Sequence, residues 1–135
     1  MTMPSVGNLK DTAIGIKCDR TTARGNPFKM RGERERDAVC EGFRRYLWLI
    51  THCWCAPGEA AEKVASEMNL LICPYWRSPS ESEFAIALKE VEDSPDSAVF
   101  LCHCNPKRCH CDTYVTYRAW HKRFLSTTGL TPVIP

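Results

Sequence analysis

The chain has 135 residues, 44% of them hydrophobic, and a formal net charge of +2. That length suits one domain and leaves little room for two, and the apolar fraction argues for a packed core over disorder. The charge is too small to imply nucleic-acid binding by itself, and no apolar run is long enough to span a membrane.

In chain order, residues 1–12 read as a polar, loosely tied arm, 13–126 as one domain and 127–135 as a tail. Ala13 to Cys18 predicts a short strand. Residues 19–32, rich in Arg, Thr and Gly around Gly25-Asn26-Pro27-Phe28, predict an ordered loop, because Asn-Pro favours a turn and Gly25 permits unusual backbone angles. From Glu33 to Ile50 the apolar residues Val39, Phe43, Tyr46, Leu47 and Ile50 recur at spacings of three and four, which predicts a helix. Gly42 weakens its interior by roughly 1 kcal/mol. Thr51 to Gly58 reads as a break. A short helix over 59–68 would turn Ala61, Val64 and Met68 inward, and Leu70 to Cys73 reads as a short buried strand. Ser80 with Glu83 fits a capping box, opening a helix to about Asp93 that buries Phe84, Ala87, Leu88 and Val91. Ala98 to His103 is the clearest strand. A last helix over 112–125 carries Tyr114, Tyr117, His121 and Phe124 on one stripe. Strands alternating with helices predict a single small layered α/β domain with a short, mainly parallel sheet and flanking helices. In such sheets function gathers at the carboxyl ends of strands.

There are nine cysteines. The opening Met-Thr-Met-Pro-Ser-Val-Gly-Asn lacks a basic start followed by an apolar run, so a secretory signal is not expected and a reducing, cytoplasmic setting is. There, clustered cysteines serve metals or catalysis more often than disulfides. The densest cluster runs Cys102-His103-Cys104-Asn105-Pro106-Lys107-Arg108-Cys109-His110-Cys111, directly after the clearest strand. Alternation along a strand lets Cys102 and Cys104 face one side. The Asn-Pro turn then brings Cys109, His110 and Cys111 back towards them. Soft thiolates with an imidazole suit zinc, which takes four nitrogen or sulfur ligands. The preferred set is Cys102, Cys104, Cys109 and His110, with Cys111 as substitute. Two rival readings stand beside it. Cys109 or Cys111, at a helix N-terminus beside Lys107 and Arg108, makes a reactive thiol with His110 as base; or the cysteines are small core residues. Cys53-Trp54-Cys55-Ala56-Pro57 echoes the block, which raises the question of whether His52, Cys53 or Cys55 joins the site. Cys18, Cys40 and Cys73 stand apart and read as core residues. The aromatic stripe of the last helix reads as packing. The early crowd of Arg20, Arg24, Lys29, Arg31, Arg34, Arg36, Arg44 and Arg45 reads either as solvated surface or as a local anion site.

Arg24-Gly25-Asn26-Pro27-Phe28 with the helix from Glu33 to Leu47, and Leu101 to His110 with its C-x-C-x-P-x-x-C-H pattern, together resemble domain of unknown function 4326. That is a family of bacteria and phages with no firmly attached activity. Cys111 stands where the family commonly has glycine, and so offers an extra donor. The resemblance implies that the Asn-Pro-Phe loop and the cysteine block share one site. Arg24, Gly25 and Asn26 would then hold an anion through a guanidinium, exposed loop N–H groups and an amide; the plainer reading of Gly25-Asn26-Pro27 is a structural turn. These readings lead to a zinc-binding α/β domain with a mainly structural metal and a nucleotide-like ligand, nucleic acid or protein as partner. The alternatives are a zinc- or thiol-dependent enzyme on a nucleotide-like substrate, and a metal-stabilised interaction module. No glutamate stands beside the cysteines as zinc deaminases require.

Overall fold

Four helices each need a partner for one apolar stripe, and packing against one another, helped by the short strands, supplies it. A computed structural model describes residues 4–10, 14–103 and 107–128, the last four of these by backbone alone. The strands are β1 (Ser5–Asn8), β2 (Ile16–Lys17), β3 (Phe28–Lys29), β4 (Leu71–Ile72) and β5 (Val99–Cys102). The helices are α1 (Arg36–Cys53, entered through a 3-10 turn at Glu33–Glu35), α2 (Pro57–Met68), α3 (Glu81–Glu92) and α4 (Cys111–Thr128). β5 is the centre of a three-stranded parallel sheet in the order β1-β5-β2, and β3 and β4 form a separate antiparallel pair. The domain is a small mixed α/β fold, as the alternation of patterns predicted.

The helices follow their sequence signals. The α1 stripe buries Val39, Phe43, Tyr46 and Leu47. It runs three residues beyond the expected end, to Cys53, and stops where Trp54 takes the left-handed conformation (φ 63°) and hands its N–H to Leu49 O. Proline at the first turn of α2 is tolerated because its missing N–H would be unpaired there anyway. The capping box of α3 is complete: Ser80 Oγ accepts the Glu83 N–H at 3.1 Å, and Glu83 Oε1 accepts the Ser80 N–H at 3.2 Å. Gly42 is the helix's close-approach point: a Cβ there would lie 2.6 Å from Leu70 Cδ1.

Two elements depart from the sequence reading. β1 falls within the stretch read as an arm; its polar sequence gives no strand signal, and parallel pairing of Ser5 to Asn8 with Val99 to Cys102 holds it. β3 falls within the predicted loop, where Phe28 and Lys29 pair with Ile72 and Leu71. Both depend on partners distant in the chain. The sheet brings the ends of β5, β1 and β2 together beside the start of α4. Among the described residues no helix is long and apolar enough to cross a membrane.

Candidate metal centre and adjoining cleft

β5 delivers Cys102 as its last residue, and Cys109 and Cys111 return at the mouth of α4. The three sulfurs lie within 4.8 Å of one another and all three residues are buried. The Cys102 thiol donates to Cys109 Sγ at 3.0 Å, far longer than the roughly 2.05 Å of a disulfide. Cys109 Sγ also accepts the Cys111 N–H at 3.4 Å, and Asp112 Oδ2 accepts the Cys109 N–H at 3.2 Å. The sulfur of Cys109 therefore sits against the donor end of a helix, which favours negative charge there.

A fourth cysteine comes close to the three, its thiol donating to Ile16 O at 3.5 Å. Lys17 lies opposite Leu101 in the parallel register, so Cys18 emerges beside Cys102, and its N–H donates to Leu101 O at 2.8 Å. Hydrogen bonding with Cys102, then with Cys109 and Cys18, pushes the Cys111 thiol far above its ordinary pKa. Several buried thiols without a cation cannot all ionise; a bound cation inverts that logic and deprotonates its thiol ligands. By spacing alone Cys18 reads as an isolated core cysteine. It is indeed wholly buried, but against the cluster. Only the strand order reveals this, since no motif spaces it from the block.

Of the five predicted ligands, the structure brings together Cys102, Cys109 and Cys111. Cys104 lies outside the described residues. His110 is not among the converging donors. It stands just before α4 and turns away from the sulfurs: its Nε2 lies 2.6 Å from Cys18 O and 3.1 Å from Arg24 O. Carbonyls only accept, so that nitrogen carries the proton. Burial lowers the imidazole pKa. The ring packs edge-on against Phe43 at 4.8 Å between centroids. His110 thus locks the Cys18–Arg24 loop onto α4, and Tyr114 Oη adds a second bond to Arg24 O at 3.2 Å.

That loop and the cysteine block do meet, but the predicted anion ligands are otherwise employed. Arg24 is buried; its Nε donates to Lys17 O at 2.9 Å, and Nη1 meets Ala87 O at 3.4 Å and Glu90 at 3.2 Å. Gly25 permits a backbone crossing, where a Cβ would come within 2.6 Å of Arg20 Cα and 2.7 Å of Asp19 O. Asn26 Oδ1 accepts the Phe28 N–H at 2.9 Å, closing the turn that Pro27 favours. All three shape the loop, and Asn26 alone of them borders the cleft beside it.

The cleft has a volume of about 530 Å³. The loop side contributes Arg20, Asn26, Phe28, Lys29 and Met30; α1 contributes Arg36, Val39 and Cys40; the block contributes Cys102, Arg108, Cys109 and His110. Burial raises the Cys40 thiol to about 11, so it is not a ready nucleophile. Cys111, wholly buried with a raised pKa, is not one either. The echoing segment takes no part: Cys53 is exposed, and His52 stacks on Trp48 at 5.4 Å while its Nδ1 meets Thr51 Oγ1 at 2.9 Å. Tyr114 and Tyr117 are buried packing residues.

Fold and site together define a small mixed α/β domain with a buried cysteine cluster that is able to hold a metal ion. Residues 6–119 match the family described as Domain of unknown function (DUF4326), and the chain belongs to that family. No curated protein and no solved structure matches the chain.

Proposed function

We propose that this protein is a zinc-binding α/β domain in which the metal ties β5 to α4 and closes the fold. The observation that carries this reading is the convergence of three buried sulfurs from two elements within 4.8 Å. Zinc favours four soft donors at about 2.3 Å, which places tetrahedral sulfurs roughly 3.8 Å apart. Small side-chain rotations within the cluster meet that spacing. The donor set is all sulfur and shut from solvent, which suits zinc over harder cations. Cys18, which follows β2 beside Cys102 and whose thiol donates to Ile16 O at 3.5 Å, turns to supply the fourth thiolate; Cys104, two residues past Cys102, is its rival for that place. A domain of this size gains much from such a staple, because metal affinity becomes folding free energy.

A second reading, an enzyme, is favoured by one observation: Cys102 and Cys109 border the cleft while Cys111 and Cys18 do not. In that case three thiolates hold the metal and the fourth position faces a bound substrate.

Cobalt(II) substitution tests both. Four thiolates give intense charge-transfer absorption and tetrahedral ligand-field bands. Under the closed reading Cys18→Ser lowers the charge-transfer intensity by about a quarter and Cys104→Ser leaves it unchanged. The reverse result assigns the fourth place to Cys104. Cys18→Ser and Cys104→Ser both without effect supports the open site. Wild-type protein that takes up neither zinc nor cobalt under reducing conditions would sink the metal reading.

A further inference from the structure

We propose that the cleft beside the cysteine cluster binds a phosphate-bearing small ligand of nucleoside monophosphate size, held by Arg20 and Lys29. The proposal goes beyond the metal reading and does not depend on it, since its anion contacts involve no sulfur.

Charge is the first argument. The described lining holds four lysine and arginine side chains (Arg20, Lys29, Arg36, Arg108) against one acidic residue, Asp19. Two of the four are already neutralised: Arg36 pairs with Glu33 at 2.8 Å and Arg108 with Asp37 at 3.0 Å. Asp19 accepts the Thr21 hydroxyl at 2.6 Å and lies 3.9 Å from His103. That leaves Arg20 and Lys29 with no carboxylate partner among the described residues.

Preorganisation is the second. Arg20 is clamped by two neutral carbonyls, with Nε donating to Asn26 O at 2.9 Å and Nη2 to Phe28 O at 2.6 Å. Its planar fork is therefore fixed in the cleft wall while its charge is uncompensated. A guanidinium held this way loses little entropy on meeting an anion, and phosphate oxygens match its geometry. Lys29, next to Phe28 on β3, adds an exposed second charge. Gly25 gives the clamp its shape, because the chain crosses Arg20 at a distance no side chain would permit.

Size and lining are the third. About 530 Å³ lies in the usual range for small-molecule sites, and Met30, Val39 and Cys40 give one side an apolar wall. A phosphate on the Arg20–Lys29 side leaves that wall for the body of the ligand. The early arginine crowd in the sequence thus resolves into a solvated majority and one anion site, at Arg20 and not at Arg24.

Calorimetric titration of the full chain with adenosine and uridine 5′-monophosphates, adenosine, ribose 5-phosphate, inorganic phosphate and a single-stranded oligonucleotide tests this. The expected result is saturable binding of a monophosphate, weakened at least tenfold for adenosine and for ribose 5-phosphate, and weakened by added salt. Lys29→Gln, an exposed change that removes no internal contact, should weaken it several-fold; Arg20→Gln should do more. No binding of any monophosphate at millimolar concentration would overturn the proposal. So would equal binding of adenosine, or equal binding of ribose 5-phosphate, which denies the nucleoside-sized body. Affinity untouched in a folded Lys29→Gln protein would overturn the residue assignment. A groove of about 500 Å³ between α1 and α4, where Trp48 stacks on His52, shares Arg108 with the cleft. Tighter binding of the oligonucleotide than of the mononucleotide, lost in Trp48→Ala, would overturn the small-ligand proposal in favour of a nucleic-acid strand.

Discussion

Cys53-Trp54-Cys55-Ala56-Pro57 and Cys102-His103-Cys104-Asn105-Pro106 share a local pattern and meet opposite fates. The first lies where α1 runs out: Trp54 is 66% exposed in a left-handed conformation, Cys53 is exposed, and desolvation, then the neighbouring Glu59, raises the Cys55 pKa. The second begins on the central strand of the sheet, and Cys102 is 2% exposed. Spacing alone does not gather donors. Burial and the arrival of sulfurs from elsewhere in the chain do, and among the described residues the second segment has Cys109 and Cys111 converging on it.

Breaking the buried member should have the largest effect. Cys102→Ser removes the sulfur that bridges strand and helix. With zinc bound in the wild type, we expect loss of stoichiometric metal and a fall in Tm of about 10 °C or more, since each kcal/mol is worth roughly 3–5 °C at this chain length. Thermal scans with and without chelator check it; an unchanged Tm and metal content would refute the ligand assignment. Next comes the packing that holds the segment. Phe43 is wholly buried, with its ring 4.8 Å from His110, 5.3 Å from Tyr114 and 5.5 Å from Tyr46. Phe43→Ala should cost about 3–5 kcal/mol in denaturant unfolding. It should also expose Cys109 and Cys111 to alkylation.

A smaller effect sharpens how the block is anchored outside the core. Glu33 bonds Arg36 and Lys107, and these contacts lower its carboxyl to about 2. A depressed carboxylate contributes stability that is complete above its unfolded value and lost as pH falls through the folded one. Wild-type protein should therefore lose Tm between about pH 4.5 and 2 more steeply than Glu33→Gln, and equal slopes would discount the pair. The group is fully exposed, so the difference should be small. The smallest effect belongs to the echo. Cys53→Ser and Cys55→Ser should change stability by no more than about 0.5 kcal/mol and leave metal content alone. In native wild-type protein Cys53 should be alkylated before Cys102, Cys109 or Cys111, as peptide mapping can verify.

Much of this protein was legible before its fold. The four helices follow from local spacing: the stripe from Val39 to Leu47, the Ser80–Glu83 cap and the run from Tyr114 are signals within a few residues of themselves. β5 was legible because its core-bound run is continuous, and the cysteine block because six donors in ten residues are hard to explain as packing alone. The resemblance also placed the Asn-Pro-Phe loop beside that block, and the bonds from His110 and Tyr114 to the loop carbonyls put it there.

What tertiary structure decided depends on partners far apart in the chain. β1 exists because Ser5 to Asn8 pair with a strand some 94 residues later, and nothing in its own composition signals that. Cys18 arrives beside Cys102, and His110 turns to Cys18 O 92 residues away, because the parallel register sets which residues meet at the strand ends. Arg24 and Arg20 look alike in sequence. One is buried against α3 and paired with Glu90; the other is clamped at a cleft with no carboxylate partner among the described residues. Residue type and spacing determine which chemistry a chain carries, because those interactions are local. Which copy of that chemistry is buried, paired or left open is set by the packing of distant elements, where desolvation and long-range hydrogen bonding take effect.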